Sequence, residues 1–356
     1  MLPVLAMAQV ANTKHNLSIT GPGTIKAQTE TEICVFCHTP HHSNGPSRPL
    51  WNRADQGTTY TLYTSSTTKA TIGKPDGTSL LCLSCHDGTV ALGSVLSRPA
   101  TISFGAITTL PVGKTNLGTD LSDDHPISFH YTSQLATANG QLKDPLNITR
   151  PVQLDKSGEM QCTSCHDAHD NTNTKFLVAS TQGSALCYSC HDKTYWSGSS
   201  HKTSTKTWNG SGNNPWFHTT YTTVADNACE NCHKPHSAGG AARILNYQNE
   251  EDNCLNCHNG NVASTNVQTQ FTKPYKHNVY GYTGVQYFQH LLNNLSTLFL
   301  PCAGILSPAF HSVLLFVQFL HSGSLRDLSA IQGLSIGRPI LPARAPALFS
   351  GRGYFV

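Results

Sequence analysis

Apolar and polar positions follow one another along this chain without settling into a helical period. No long stripe of apolar residues three and four apart is visible, so no long amphipathic helix is predicted. Thr, Ser, Asn, Gly and Pro interrupt every apolar run. Segments such as Tyr60–Tyr63 and Thr101–Phe104 predict brief strands. Short helical turns are expected around the cysteine motifs described below, with coil between them. Two regions depart from this pattern. Residues 1–8, MLPVLAMA, are apolar and end in an A-x-A cleavage pattern, which reads as a signal peptide remnant. Residues 277–325 contain no Lys, Arg, Asp or Glu, and Cys302 there is the one cysteine outside a motif. The apolar tail, residues 283–356, is read first as non-native sequence such as a frameshifted end. A membrane-associated tail, weakened by Pro301 and Pro308, and a small separate domain are the alternatives.

Composition narrows the fold class. The chain is 38% hydrophobic and 12% charged, against about 45–50% and about 25% for ordinary soluble domains. It lacks the side chains for a large apolar core. A net charge of +3 argues for no nucleic-acid partner. The outliers are 19 histidines and 13 cysteines in 356 residues.

Twelve of those cysteines fall into one pattern, Cys-x-x-Cys-His. It occurs at Cys34/Cys37/His38, Cys82/Cys85/His86, Cys162/Cys165/His166, Cys187/Cys190/His191, Cys229/Cys232/His233 and Cys254/Cys257/His258. Composition alone predicts about 0.03 such matches. The pattern is the attachment signature of c-type haem: two thiols form thioethers to the vinyl groups and the adjoining histidine becomes the proximal iron ligand. Structural zinc also favours Cys-x-x-Cys but does not require a histidine after every second cysteine. Six covalently attached haem c groups, with iron, are therefore expected to supply the missing core. The fold class follows: mostly irregular coil with short helices wrapped around a chain of six c-type haems, with little regular secondary structure.

The motifs are arranged in pairs. Starts at Cys162 and Cys187 are 25 residues apart, as are those at Cys229 and Cys254; Cys34 and Cys82 are 48 apart. Each pair opens with His-x-x-His: His38/His41, His166/His169 and His233/His236. This predicts an N-terminal arm (9–33), haem pair unit 1 (34–97), a linker (98–160), unit 2 (161–200), a linker (201–228) and unit 3 (229–282), an internal repeat of unequal size.

Each iron needs a sixth ligand or keeps an open position. Methionine does not suffice, since the chain has only Met1, Met7 and Met160. Outside the motifs and the tail stand ten histidines: His15, His41, His42, His125, His130, His169, His201, His218, His236 and His277. Bis-histidine ligation throughout is the economical reading, and it lowers the potential relative to methionine ligation. In His-x-x-His the second ring projects to the same side as the first. It can then reach a neighbouring iron and clamp two haems together. The predicted distal ligands are His41, His169 and His236, with His15, His125 and His218 for the remaining irons. His201 and His277 are held in reserve, and His42 and His130 are spares. No Cys-x-x-Cys-Lys variant, phosphate loop, G-x-S-x-G or H-E-x-x-H motif is present. Electron transfer fits, and an enzyme acting on a bound substrate does not.

The segments ICVFCHTPHHS, PLWNR, SLLCLSCHDGTVA, SDDHPI and NACENCHKPHSAG resemble the doubled-CXXCH multihaem cytochromes. In particular they are similar to the extracellular, filament-forming (nanowire) cytochromes of metal-reducing bacteria, the OmcS and OmcE type, over about residues 10–280. The resemblance implies export through the periplasm to the cell surface or beyond. It implies a continuous haem chain with alternating stacked and T-shaped pairs, redox partner cytochromes, and extracellular acceptors such as metal oxides. It also implies end-to-end assembly with other copies, in which an N-terminal histidine, here His15, ligates a haem of the next subunit. A monomeric periplasmic or outer-surface shuttle, and a multihaem enzyme with one open iron, are the alternatives.

Overall fold

The computed structural model describes residues 6–44, 50–55 and 57–275, all within the first of two units into which the chain divides, Met1–Tyr282. His277, residues 1–5 and the whole tail 283–356 lie outside the described residues. Helices are short and follow the motifs. In order they are α1 (Ala6–Ala11), α2 (Gly77–His86), α3 (Ser133–Asn139), α4 (Cys162–Cys165), α5 (Ala185–Tyr188), α6 (Ser200–Thr203), α7 (Val224–Asn227) and α8 (Glu250–Leu255). The Cys34–Phe36 and Ala228–Asn231 segments are single 3₁₀ turns. Two two-residue strands, β1 (Phe129–His130) and β2 (Glu159–Met160), pair antiparallel with Phe129 opposite Met160. Among the described residues α2, ten residues long, is the longest element. No helix among them is long and apolar enough to cross a membrane.

The motifs dictate these turns. The His38, His166, His191, His233 and His258 amides each donate to the carbonyl of the first cysteine of their motif, at 2.8–3.0 Å. One closed α-turn therefore presents two sulfurs and an imidazole together. The turn then stops. His38, His166 and His233 leave it as extended residues bridged to Trp51, Leu177 and Leu245. Hence none of the three His-x-x-His segments is helical, including His166–His169, which has no proline to forbid it.

The strands predicted at Tyr60–Tyr63 and Thr101–Phe104 do not form. Thr61 makes a single bridge to Asp120, because the buried Tyr60 turns its hydroxyl inward to Asp87 Oδ2 (2.8 Å). The second segment bonds to different neighbours at successive residues: Ile102 N–H to Gly93 O, and Gln28 N–H to Ser103 O. Phe104 stands edge-on to Phe36 in the core.

The apolar core is divided into four small clusters. One gathers Val35, Phe36, Leu92 and Phe104 against Cys37 and Cys85. A second holds Tyr60, Leu83 and Leu121. A third sets Phe129, Tyr131 and Met160 against Cys165 and Cys190, and a fourth sets Trp216, Val224 and Val262 against Cys257. Three of the four are completed by motif cysteines, the atoms to which a porphyrin would be sewn.

Polar side chains bind successive motifs to one another. The buried Gln161, just ahead of α4, accepts from Ser79 Oγ and N–H on α2 and donates to Asp76 and Glu159. Ser79 Oγ in turn accepts from Cys162 N–H at 3.0 Å. The same device recurs one unit on, where Ser184 Oγ accepts from Cys229 N–H at 2.8 Å. Ser79 and Ser184 each stand three residues before the motif cysteine of their own turn.

Candidate functional site

The decisive geometry lies between imidazole rings. Five histidines that adjoin a Cys-x-x-Cys have a second histidine opposite them. The pairs are His86 with His15 (6.2 Å between centroids), His38 with His169 (6.1 Å), His191 with His125 (6.3 Å), His166 with His236 (6.2 Å) and His258 with His201 (6.1 Å). A metal–imidazole nitrogen bond is about 2.0 Å and the ring centroid lies about 1.1 Å behind that nitrogen, so two imidazoles on opposite sides of one iron sit about 6.2 Å apart. The rings stand at the separation of a bis-histidine haem, and the residues fit the cofactor. Among the described residues no three His, Cys, Asp or Glu converge as a bare-metal site, in contrast to the tetrahedral clusters of structural zinc.

Hydrogen bonds set the rings. Nδ1 of His86, His166 and His233 lies 2.7–3.0 Å from the carbonyls of Thr115, Lys175 and Arg243. Nδ1 of His15 and His125 meets the carbonyls of Ala168 and Pro126. Nδ1–H donation to these oxygens leaves Nε2 as the free lone pair, the arrangement an iron ligand needs. His236 differs. Its Nδ1 meets Asp124 Oδ1 at 3.0 Å, and that carboxylate is buried. A carboxylate partner raises the basicity of the ring. Burial lowers the proton affinity of His15, His125 and His166, and takes His191 down to about 4. These imidazoles are neutral at pH 7, the form that binds metal.

The motifs also adjoin one another in chain order. Within each unit the second cysteines are neighbours, Cys37 with Cys85, Cys165 with Cys190 and Cys232 with Cys257. Burial first, and a thiol of the same unit second (Cys85, Cys190 and Cys254 in turn), push Cys37 and Cys165 up to about 12 and Cys232 up to about 11. Between units the first cysteines meet. The free thiols of Cys82 and Cys162, and of Cys187 and Cys229, are within hydrogen-bond reach; in each pair the first is raised and the second is lowered by the shared proton. Contacts of two kinds therefore alternate along the six motifs.

The other predicted ligands take varied places. His218 forms none of these five ring pairs. It packs beside Phe217 (5.0 Å) near the backbone of His233, with both ring nitrogens buried and unpartnered. His201, held in reserve, faces His258 instead, because α6 carries it there. His15 faces His86 of its own chain. The second ring of His-x-x-His serves the preceding unit: His169 reaches His38 and His236 reaches His166. Such a ring ties units together where a clamp within one unit was expected. His41 is exposed, and no described ring lies opposite it. Of the spares, His130 contacts Glu159 on the surface, and His42 is exposed at φ 58°.

Sequence reasoning missed two positioning groups. Asp124 was visible only as the acid before His125 in SDDHPI. Arg53, in PLWNR, is wholly buried and donates to the carbonyls of Leu92 (2.9 Å) and Ala91 (2.7 Å). Its Nε is unpartnered, and among the described residues no carboxylate pairs with it. A buried guanidinium without a counter-charge is costly, and Arg53 stands close to Cys37 and Cys85. A haem propionate fits the missing anion. Arg53→Ala is expected to lower stability by about 3 kcal/mol or more, read as a drop in the denaturant midpoint of the haem-loaded protein.

The doubled CXXCH motif family model matches residues 156–195 and 222–263, the second and third motif pairs. The first pair, with its wider spacing, falls outside the match. Among curated proteins no relative matches at a significant level. The matched motifs and the facing imidazoles together support a multihaem c-type cytochrome with electron transfer as its chemistry.

Proposed function

We propose that the chain is a hexahaem c-type cytochrome that passes electrons from haem to haem outside the cytoplasmic membrane, at the cell surface or beyond it. The observation that carries this reading is the set of five imidazole pairs at 6.1–6.3 Å. Haem iron gripped between two imidazoles supplies a centre that gains or loses one electron without exchanging ligands. The polypeptide does the rest. Twelve cysteines fix the groups in place, backbone carbonyls aim the rings, and the alternating cysteine contacts keep each site beside the next. The partners are other cytochromes and extracellular acceptors such as metal oxides.

The test is an intact mass of the secreted protein together with its spectra. The expected result is the mass of the polypeptide plus six haems, with low-spin ferric signals from bis-histidine iron. Colourless protein, or zinc in place of iron, overturns the reading. A redox enzyme with one open iron is a second reading, and it draws on one observation. His233 is the only motif histidine that is exposed, and no described ring faces it.

A further inference from the structure

The rings that face the motif histidines are not held alike. Nδ1 of His15 and of His125 meets a backbone carbonyl. Nδ1 of His236 meets Asp124 Oδ1 at 3.0 Å, and that side chain is only 5% exposed. Among the described facing rings, His236 is the one set against a buried carboxylate. His169 also nears a carboxylate, Asp167 Oδ1 at 3.4 Å, but both side chains are half exposed and water screens the pair. Asp124 is fixed by the backbone around it. Ser237 N–H donates to the same Oδ1 at 3.1 Å. His125 N–H donates to Pro235 O (2.8 Å) and Ala238 N–H to Asp123 O (3.0 Å), so residues 123–125 run beside 235–238. The other oxygen, Asp124 Oδ2, is buried without a hydrogen-bond partner. Among the described residues no Lys or Arg pairs with this carboxylate. Its charge is directed at the His236 ring and little else.

We propose that Asp124 is a positioning residue that makes the site between His166 and His236 the lowest in potential of the six. It acts through the ring. Nδ1–H donation to a carboxylate pushes electron density to Nε2 and makes the imidazole a stronger donor. A stronger donor favours ferric over ferrous iron. The buried negative charge adds to this directly, since the ferric haem carries one more positive charge than the ferrous form and no solvent stands between to screen the attraction. The place of the site gives the effect its meaning. His166 opens unit 2, where Ser79 of unit 1 holds Cys162 N–H, and the next residue after Asp124 is His125, which faces His191 at the other site of unit 2. An electron crossing from unit 1 meets this step: the donor haem loses one electron, the iron beside His166 gains it, and no proton or ligand is exchanged. The carboxylate thereby sets a barrier between the two haems of unit 1 and the rest of the chain. The proposal rests on the haem reading above and assigns the residue that ranks its sites.

The test is a spectroelectrochemical titration of the full haem-loaded protein and of Asp124→Asn, whose amide oxygen can still accept from His236 and Ser237 while the charge is gone. The substituted protein is expected to keep six haems and to take up no more carbon monoxide than the unsubstituted one. Its lowest-potential component alone should move upward. At a fixed potential the ferric-to-ferrous ratio of that component should fall tenfold or more, which is about 59 mV for one electron. Asp124→Glu should return part of the shift. In His236→Ala the lowest component should be missing, and adding Asp124→Asn to it should move nothing further. Three results overturn the proposal: components of Asp124→Asn that coincide with those of the unsubstituted protein, a moved component that survives in His236→Ala, or a newly opened iron in Asp124→Asn, which would reduce the carboxylate to a prop for the ring. A haem count below six in the unsubstituted protein removes the cofactor reading itself, and a full count with any of those three results removes only the role of Asp124.

Discussion

Replacing both cysteines of one inner motif, Cys162→Ala with Cys165→Ala, is expected to abolish folded secreted protein rather than yield a five-haem version of it. The clusters that remain are small. Cys165 completes the one around Phe129, Tyr131 and Met160, and Cys162 is the far end of the Ser79 and Gln161 network that joins α2 to α4. Truncating a buried Phe or Trp costs about 3–5 kcal/mol. A porphyrin is larger than either, and a domain is stable by only about 5–15 kcal/mol in all. Losing the group also leaves His166 and His236 facing an empty space that nothing else fills. The measurement is the yield of soluble red protein and its mass. Comparable yield with five haems would show that the chain packs without this group.

The second large effect is expected at His169. His169→Ala should keep six haems and raise carbon monoxide uptake by one per chain over the unsubstituted protein, because His38 loses the ring 6.1 Å across from it. The potential of that one site should rise, since an imidazole that favours ferric iron is gone. Proteolysis should also speed between units 1 and 2, which His169 ties together through the iron. The His169 amide donates to Asp167 Oδ1 at 2.9 Å, a bond the substitution keeps, and the ring stands exposed, so the substitution disturbs little else. An unchanged uptake of carbon monoxide would mean that another side chain holds this iron.

Much of this was legible before any fold was in hand. Six Cys-x-x-Cys-His motifs imply their own helical turns, and the coil between them follows from Thr, Ser, Asn, Gly and Pro. The shortage of methionine turned attention to the other histidines, and three-residue spacing singled out His169 and His236, whose rings stand opposite His38 and His166. What stayed hidden is which distant ring meets which motif. His201 and His218 look alike in sequence, but only the short α6 brings the first across from His258, while the second tucks against Phe217. His15 gives no local sign of its own partners, Ala168 O at 3.2 Å from its Nδ1 and the ring of His86. Arg53 carries no local signature at all. Its role depends on the carbonyls of Ala91 and Leu92, nearly forty residues later in the chain.

The crossing of rings between units has a consequence for how the protein is made. Under the proposed export, a chain threaded out amino end first would deliver His38 early, yet the ring that faces it is His169, 131 residues downstream. His166 waits in the same way for His236, 70 residues on. On that proposal the leading sites of each unit would stand for a time with one axial position open to solvent, and would close in order as later segments arrive. A polypeptide stalled short of residue 169 is expected to carry a high-spin iron at its first motif, so the completeness of translocation is recorded in the colour of the earliest haem.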